Sequence, residues 1–89
     1  MKFKHGDRVK YIGSSEKLAI NENGIIFDYK CYVIIIKRMP YFDNGMNDFF
    51  INQLMSGTYV LVLFDNEKLG KLGVYCPLWI LKTIDLELL

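Results

Sequence analysis

The strongest constraint on this chain is a succession of short β-branched and aromatic runs, each bounded by glycine, proline, asparagine or aspartate: "GDRVKYIG", "GIIFDYKCYVIIIKRM", "TYVLVLFDN" and "GVYCPLWILKTID". Such residues fit a pleated, half-buried surface, and an apolar side chain at every second position covers one face only. In the first run Val9 and Tyr11 point one way, toward a core, and Arg8 and Lys10 the other, toward water. A chain built from runs of this length folds as a small sheet or barrel of antiparallel strands. At 89 residues it has room for one small core and so for a single domain, residues 1–89.

The links between the runs carry turn chemistry. "SSEKLAINENG" is a polar loop whose Asn23-Gly24 pair is expected to make a tight turn, with a strand restarting at Ile25. The stretch that follows reads as one long bent strand, or as two folded near Asp28 to Lys30, ending at Pro40. From about 37 to 57 the pattern changes, and two readings compete. Asn44-Gly45 suits a hairpin, whereas Asn47 as a cap, Phe50 and Leu54 on one face, and Gly57 as a left-handed stop suit a short helix over Asp48 to Met55. The helix is favoured, because Phe49-Phe50-Ile51 does not alternate. "TYVLVLFDN" is the clearest strand, and "DNEKLGKLG" is its return turn, with a solvated tip at Glu67 to Lys71 leading into "VYC". Pro77 forces a turn at Cys76-Pro77-Leu78-Trp79, after which Ile80, Lys82 and Ile84 alternate with Leu81 and Thr83 in the last strand.

In order, these elements resemble the small five-stranded barrels of the Src-homology-3-like class. The likeness rests on "GDRVKYIG", on the glycine opening "NGIIFD", on "YVLVLFDN" before a hairpin, and on "GVYCPLWILKTI". It implies a mainly β fold, a five-stranded barrel with an inserted segment at about 37–57 that contains a short helix. It specifies a fold and no activity. The loop "SSEKLAINENG" lacks the aromatics with which signalling members of the class grip proline-rich peptides, although Trp79 and Pro77 stand where such a groove would lie.

Charge and composition narrow the function. Eleven Lys and Arg against ten Asp and Glu give a net charge of +1, so the chain has no global basic field for nucleic acid. Its two cysteines, Cys31 and Cys76, are far apart and form no CxxC; with a single histidine, His5, they supply no zinc set and read as two buried thiols. No cofactor is expected. "YVIII" is too short to span a bilayer, and a cytoplasmic location without membrane attachment is expected. His5 has no triad neighbours, Asp43, Asp48, Asp65 and Glu67 lack calcium-loop spacing, and the glycines make no phosphate cradle. Catalysis is not expected.

What remains is binding. With 52% apolar and 15% aromatic residues, so short a chain is expected to leave apolar surface exposed. The leading expectation is a protein-interaction module that uses Lys37, Arg38, Tyr41, Phe42 and Phe49, since aromatic and arginine side chains dominate binding hot spots, with Trp79 as a groove-floor or core residue. Adjacent helical positions cannot point in one direction, so one of Phe49 and Phe50 stays near the surface. The alternative is a nucleic-acid reader using Lys2, Lys4, Arg8 and Lys10; with Tyr11 inward, that strand offers no stacking platform. A third reading is self-assembly through an open strand such as "TYVLVLF" or "YVIII". Ten Ile, nine Lys and six Asn against two Arg and one Ala suggest AT-rich coding, as in an accessory phage or mobile-element protein acting on a host factor.

Overall fold

A computed structural model describes residues 3–28, 30–31, 44–70 and 78–89, with 44–47 described as backbone only. The element order is β1 (Arg8–Tyr11), a 3-10 turn (Lys17–Ala19), β2 (Asn23–Phe27), α1 (Asn44–Ser56), β3 (Tyr59–Phe64), α2 (Glu67–Gly70), β4 (Trp79–Lys82), a second 3-10 turn (Thr83–Asp85) and β5 (Leu86–Leu88). The five strands form one antiparallel sheet in the order β4-β3-β2-β1-β5. The fold is mainly β, with a short helix, as its alternation predicts. The sheet is not closed into the expected barrel: β4 and β5 are its two edges.

Alternation places two cores on opposite faces of the sheet. On one face Val9, Tyr11, Ile26, Val60, Val62, Phe64, Trp79, Leu81 and Leu86 pack with Phe3, Ala19 and Leu69 from the connecting segments. On the other, Leu61 packs with Leu54 of α1 and with Leu78, flanked by Phe27, Phe50, Ile51, Tyr59, Leu63 and Ile80. β3 is therefore apolar at almost every position, because both its faces are covered. Its edges are paired too, by β2 and β4, so "TYVLVLF" offers no open strand. "YVIII" lies outside the described residues.

Several local readings change. Asn23 and Gly24 are strand residues in β2; the bend falls before them, where Asn21 takes a left-handed φ of 64°. Gly24 is needed for space: a Cβ there would come within 2.7 Å of a Val62 methyl and 2.8 Å of the Leu63 carbonyl. β2 stops at Phe27, and Lys30 and Cys31 are already helical, so no strand runs on from Asp28 to Lys30. The Asp28 carboxylate explains this locally, since its Oδ1 accepts the Lys30 N–H at 2.8 Å in a turn that competes with the ladder.

The inserted segment does hold a helix, which begins at Asn44 rather than after a cap at Asn47 and ends before Gly57, whose φ is 83°. The tip at 67–70 is the short helix α2, and its Leu69 is buried in the core instead of being solvated. Trp79 is the first residue of β4, not part of a turn preceding it. Alternation holds through Lys82 and is broken by the 3-10 turn, which leaves Ile84 82% exposed. The last strand is thus Leu86–Leu88, paired with β1. Expectations for Pro40, Cys76, Pro77 and "VYC" fall outside the described residues.

Candidate functional site

α1 lies against the sheet because Leu54 is buried over Leu61. Helical geometry then divides the adjacent phenylalanines: Phe50 turns toward the sheet cluster, whereas Phe49, edge-on to it at 5.5 Å between ring centres, is 50% exposed. Met55, one position beyond Leu54, is 61% exposed. Among the described side chains of α1, therefore, Leu54 is the buried anchor and Phe49 and Met55 are the large apolar ones offered to solvent.

Beside α1, where β2 ends and β3 begins, the surface sinks into a groove of about 370 Å³. Ile26, Phe27, Leu54, Tyr59 and Val60 give it an apolar lining, and Lys4, His5, Asp28 and Met55 also border it. The amino-terminal segment is tied down on this side. Lys4 N–H donates to Asp7 Oδ2 at 2.8 Å, and Gly6 N–H to the Ile26 carbonyl at 2.8 Å. The His5 ring stands edge-on to Phe27 at 5.2 Å, and its Nδ1 accepts the Asp28 N–H at 3.0 Å. That bond fixes the tautomer: in the neutral ring the proton sits on Nε2.

The groove residues were not legible as a set. His5 reads as an exposed strand-entry residue, and it is exposed, but its pairing with Asp28 spans 23 positions of sequence. Tyr59, Leu54 and Met55 carry no local signal beyond their places in a strand and a helix. Of the residues expected to bind protein, Phe49 is exposed as described, Trp79 is a core residue, and Lys37, Arg38, Tyr41 and Phe42 lie outside the described residues. Trp79 is only 6% exposed, donates Nε1–H to the Leu69 carbonyl at 2.7 Å and meets Phe64 edge-on.

The expected basic strand is balanced by acids. Arg8 makes a two-pronged pair with Asp65: Nη1–H donates to Oδ1 at 2.8 Å and Nη2–H to Oδ2. The hydrogen bonds from Arg8 hold the Asp65 carboxyl below the usual carboxylate range, with desolvation opposing and charge attraction assisting. The same hydrogen bonds raise the Arg8 guanidinium. Lys10 stands opposite Glu87 in the β1–β5 register. Lys4 is exposed, and Lys2 is outside the described residues.

Cys31 is a half-buried free thiol beside the Leu54 cluster. Among the described residues no three His, Cys, Asp or Glu side chains are grouped to hold a metal ion, and no helix is long and apolar enough to cross a membrane. Compared with protein-family models, curated proteins and solved structures, the chain finds no match.

Proposed function

We propose that this chain is a non-enzymatic protein-interaction module, and that its working surface is the exposed side of α1 together with the adjoining groove. The observation that carries this reading is Met55, 61% exposed at the border of an apolar-lined hollow, on a helix that also leaves Phe49 50% exposed while Leu54 is buried against the sheet. Exposed aromatic and methionine side chains around an apolar cavity are the composition of protein-binding surfaces. A nucleic-acid role draws less support, because Arg8 is taken by Asp65 and Lys10 faces Glu87, so the strand's cations are offset before any phosphate arrives.

The strand order also supports a small Src-homology-3-like barrel as the scaffold. β4 and β5 are the sheet's edges and are joined by a single 3-10 turn, the arrangement a five-stranded barrel has when opened between those two strands. On such a scaffold the segment from about 37 to 57 is an addition, and its helix is the part that differs from the minimal barrel.

The test is affinity capture with the folded protein as bait, beside a Phe49→Ser/Met55→Ser double variant whose thermal transition is checked first. Both side chains are solvent-facing, so the variant should melt within a few degrees of the parent. A protein captured by the parent and lost by the variant supports the reading. Equal capture by both places the surface elsewhere, and capture of nothing specific by either overturns it.

A further inference from the structure

The two edges of the sheet differ in what they leave open. β4 carries Lys82, a residue type that keeps other strands off an edge, whereas β5 is Leu86-Glu87-Leu88, without lysine or proline. Its pairing with β1 is fixed at both ends: the Ile12 N–H donates to the Asp85 carbonyl at 2.8 Å and the Leu89 N–H to the Arg8 carbonyl at 2.9 Å. In an antiparallel ladder successive residues bond to opposite sides, so Glu87, set opposite Lys10, also bonds toward β1, and Leu86 and Leu88 turn their backbone groups outward. The Leu86 N–H is taken, since it donates to the Thr83 carbonyl at the 3-10 turn. Three outward groups remain without a partner among the described residues: the Leu86 carbonyl and both the N–H and the carbonyl of Leu88. The Leu86 side chain is buried in the core with Val9 and Tyr11, and that of Leu88, on the same face of the strand, is 57% exposed.

Backbone groups at this spacing fit another extended backbone, and a half-exposed leucine beside them fits an apolar side chain. We propose that β5 adds an extended segment of another protein to the sheet, with an apolar side chain of that segment seated over Leu88, so that the core of Val9 and Tyr11 continues one strand further. A second copy of this chain is the poorer occupant. Leu86 set against Leu88 of the copy places Glu87 directly opposite Glu87, where like charges destabilise a sheet. Leu88 against Leu88 leaves the Leu86 carbonyl with no donor from the described residues, and Leu86 against Leu86 lacks the N–H that the Thr83 carbonyl holds. A foreign strand meets none of these limits and uses all three groups. β5 is separated by β2 and β1 from β3, against which Leu54 of α1 packs, so this edge is distinct from the α1 surface and does not rest on it.

The experiment follows amide hydrogen exchange and amide shifts in the whole isotope-labelled protein with two blocked pentapeptides, one of alternating threonine and valine and the other of the same sequence with every backbone amide methylated. In the free protein the Leu88 amide should exchange fast, while those of Glu87 and Leu89, bonded to β1, are slowed. The first peptide should slow Leu88 and shift the amides of Leu86 to Leu89; the methylated peptide should do neither. Leu88→Pro removes the outward donor without touching a bond to β1, a place where edge strands accept proline, and should weaken the first peptide about three- to ten-fold. If the amide spectrum shows that this variant does not fold, the methylated peptide decides alone. A Leu88 amide already slow in the dilute free protein, equal effects of the two peptides, shifts confined to other strands, or no binding of either overturns the proposal. Slowing of Leu88 by protein concentration alone also overturns it and gives the edge to a second copy. None of these outcomes bears on capture through Phe49 and Met55, so the two surfaces are tested separately.

Discussion

Trp79 is held by chemistry as well as by packing, because its one donor reaches the Leu69 carbonyl inside the core. Trp79→Phe keeps an aromatic against Phe64 but leaves that carbonyl unpaired. The expected cost is about 1–3 kcal/mol, measured as a fall in Tm of about 4–8 °C for each kcal/mol in a domain of this size. Gly24→Ala tests close approach instead. Its methyl would press on Val62 and on the β3 backbone, and overpacking of this kind costs about 1–3 kcal/mol; a denaturant midpoint unchanged from the parent would show that β3 yields. Arg8 and Asp65 supply a pH dependence. Because the folded state holds the Asp65 carboxyl below its unfolded value, about 3.9, the pair stabilises above that value and the contribution is lost as pH falls through the depressed folded value. Melting between pH 2 and 6 should show a shallower acid-side decline in Asp65→Asn than in the parent. Both side chains are about half exposed, so the difference is small and shrinks with added salt.

α1 depends on two features at the scale of an element. Gly57 ends the helix in the left-handed region, where a Cβ costs about 1–2 kcal/mol, so Gly57→Ala should lower Tm while Gly57→Asn lowers it less. Leu54 is the anchor. Leu54→Ala removes the side chain over Leu61, and loss of a buried leucine costs about 2–5 kcal/mol. The helix limits were partly legible: Gly57 and the failure of Phe49-Phe50-Ile51 to alternate pointed to a helix and its end. The start was misread, because Asn47 has the residue type of a cap, whereas the helix already begins at Asn44 and runs through it. β4 was displaced for a related reason. Ile80, Lys82 and Ile84 alternate as a strand would, but the Thr83 N–H donates to the Thr58 carbonyl and the chain turns at Thr83–Asp85, so Ile84 never joins the ladder.

At the scale of the molecule, one sheet serves two cores, and they should differ in how firmly they hold. Native-state hydrogen exchange at low denaturant should find the amides of β1, β2 and β3 exchanging only with global unfolding, and those of α1 opening earlier. Simultaneous exchange of both sets would show that the helix and the sheet form a single cooperative unit. By itself the sequence determined the β class, the inward Val9 and Tyr11, the strand at β3 and a helix ending at Gly57, because period-two alternation and left-handed glycine are local properties of the chain. It also determined that one of two adjacent phenylalanines must face water, since neighbouring helical positions diverge. Only the tertiary structure decided that β3 is covered on both faces, that Leu69 goes inside and that Asp65 takes Arg8. It alone brought Lys4 and His5 to the same hollow as Leu54 and Tyr59. Each of these joins residues far apart in the chain, and what unites them is the packing of α1 and the amino-terminal segment on one sheet, which no local pattern encodes.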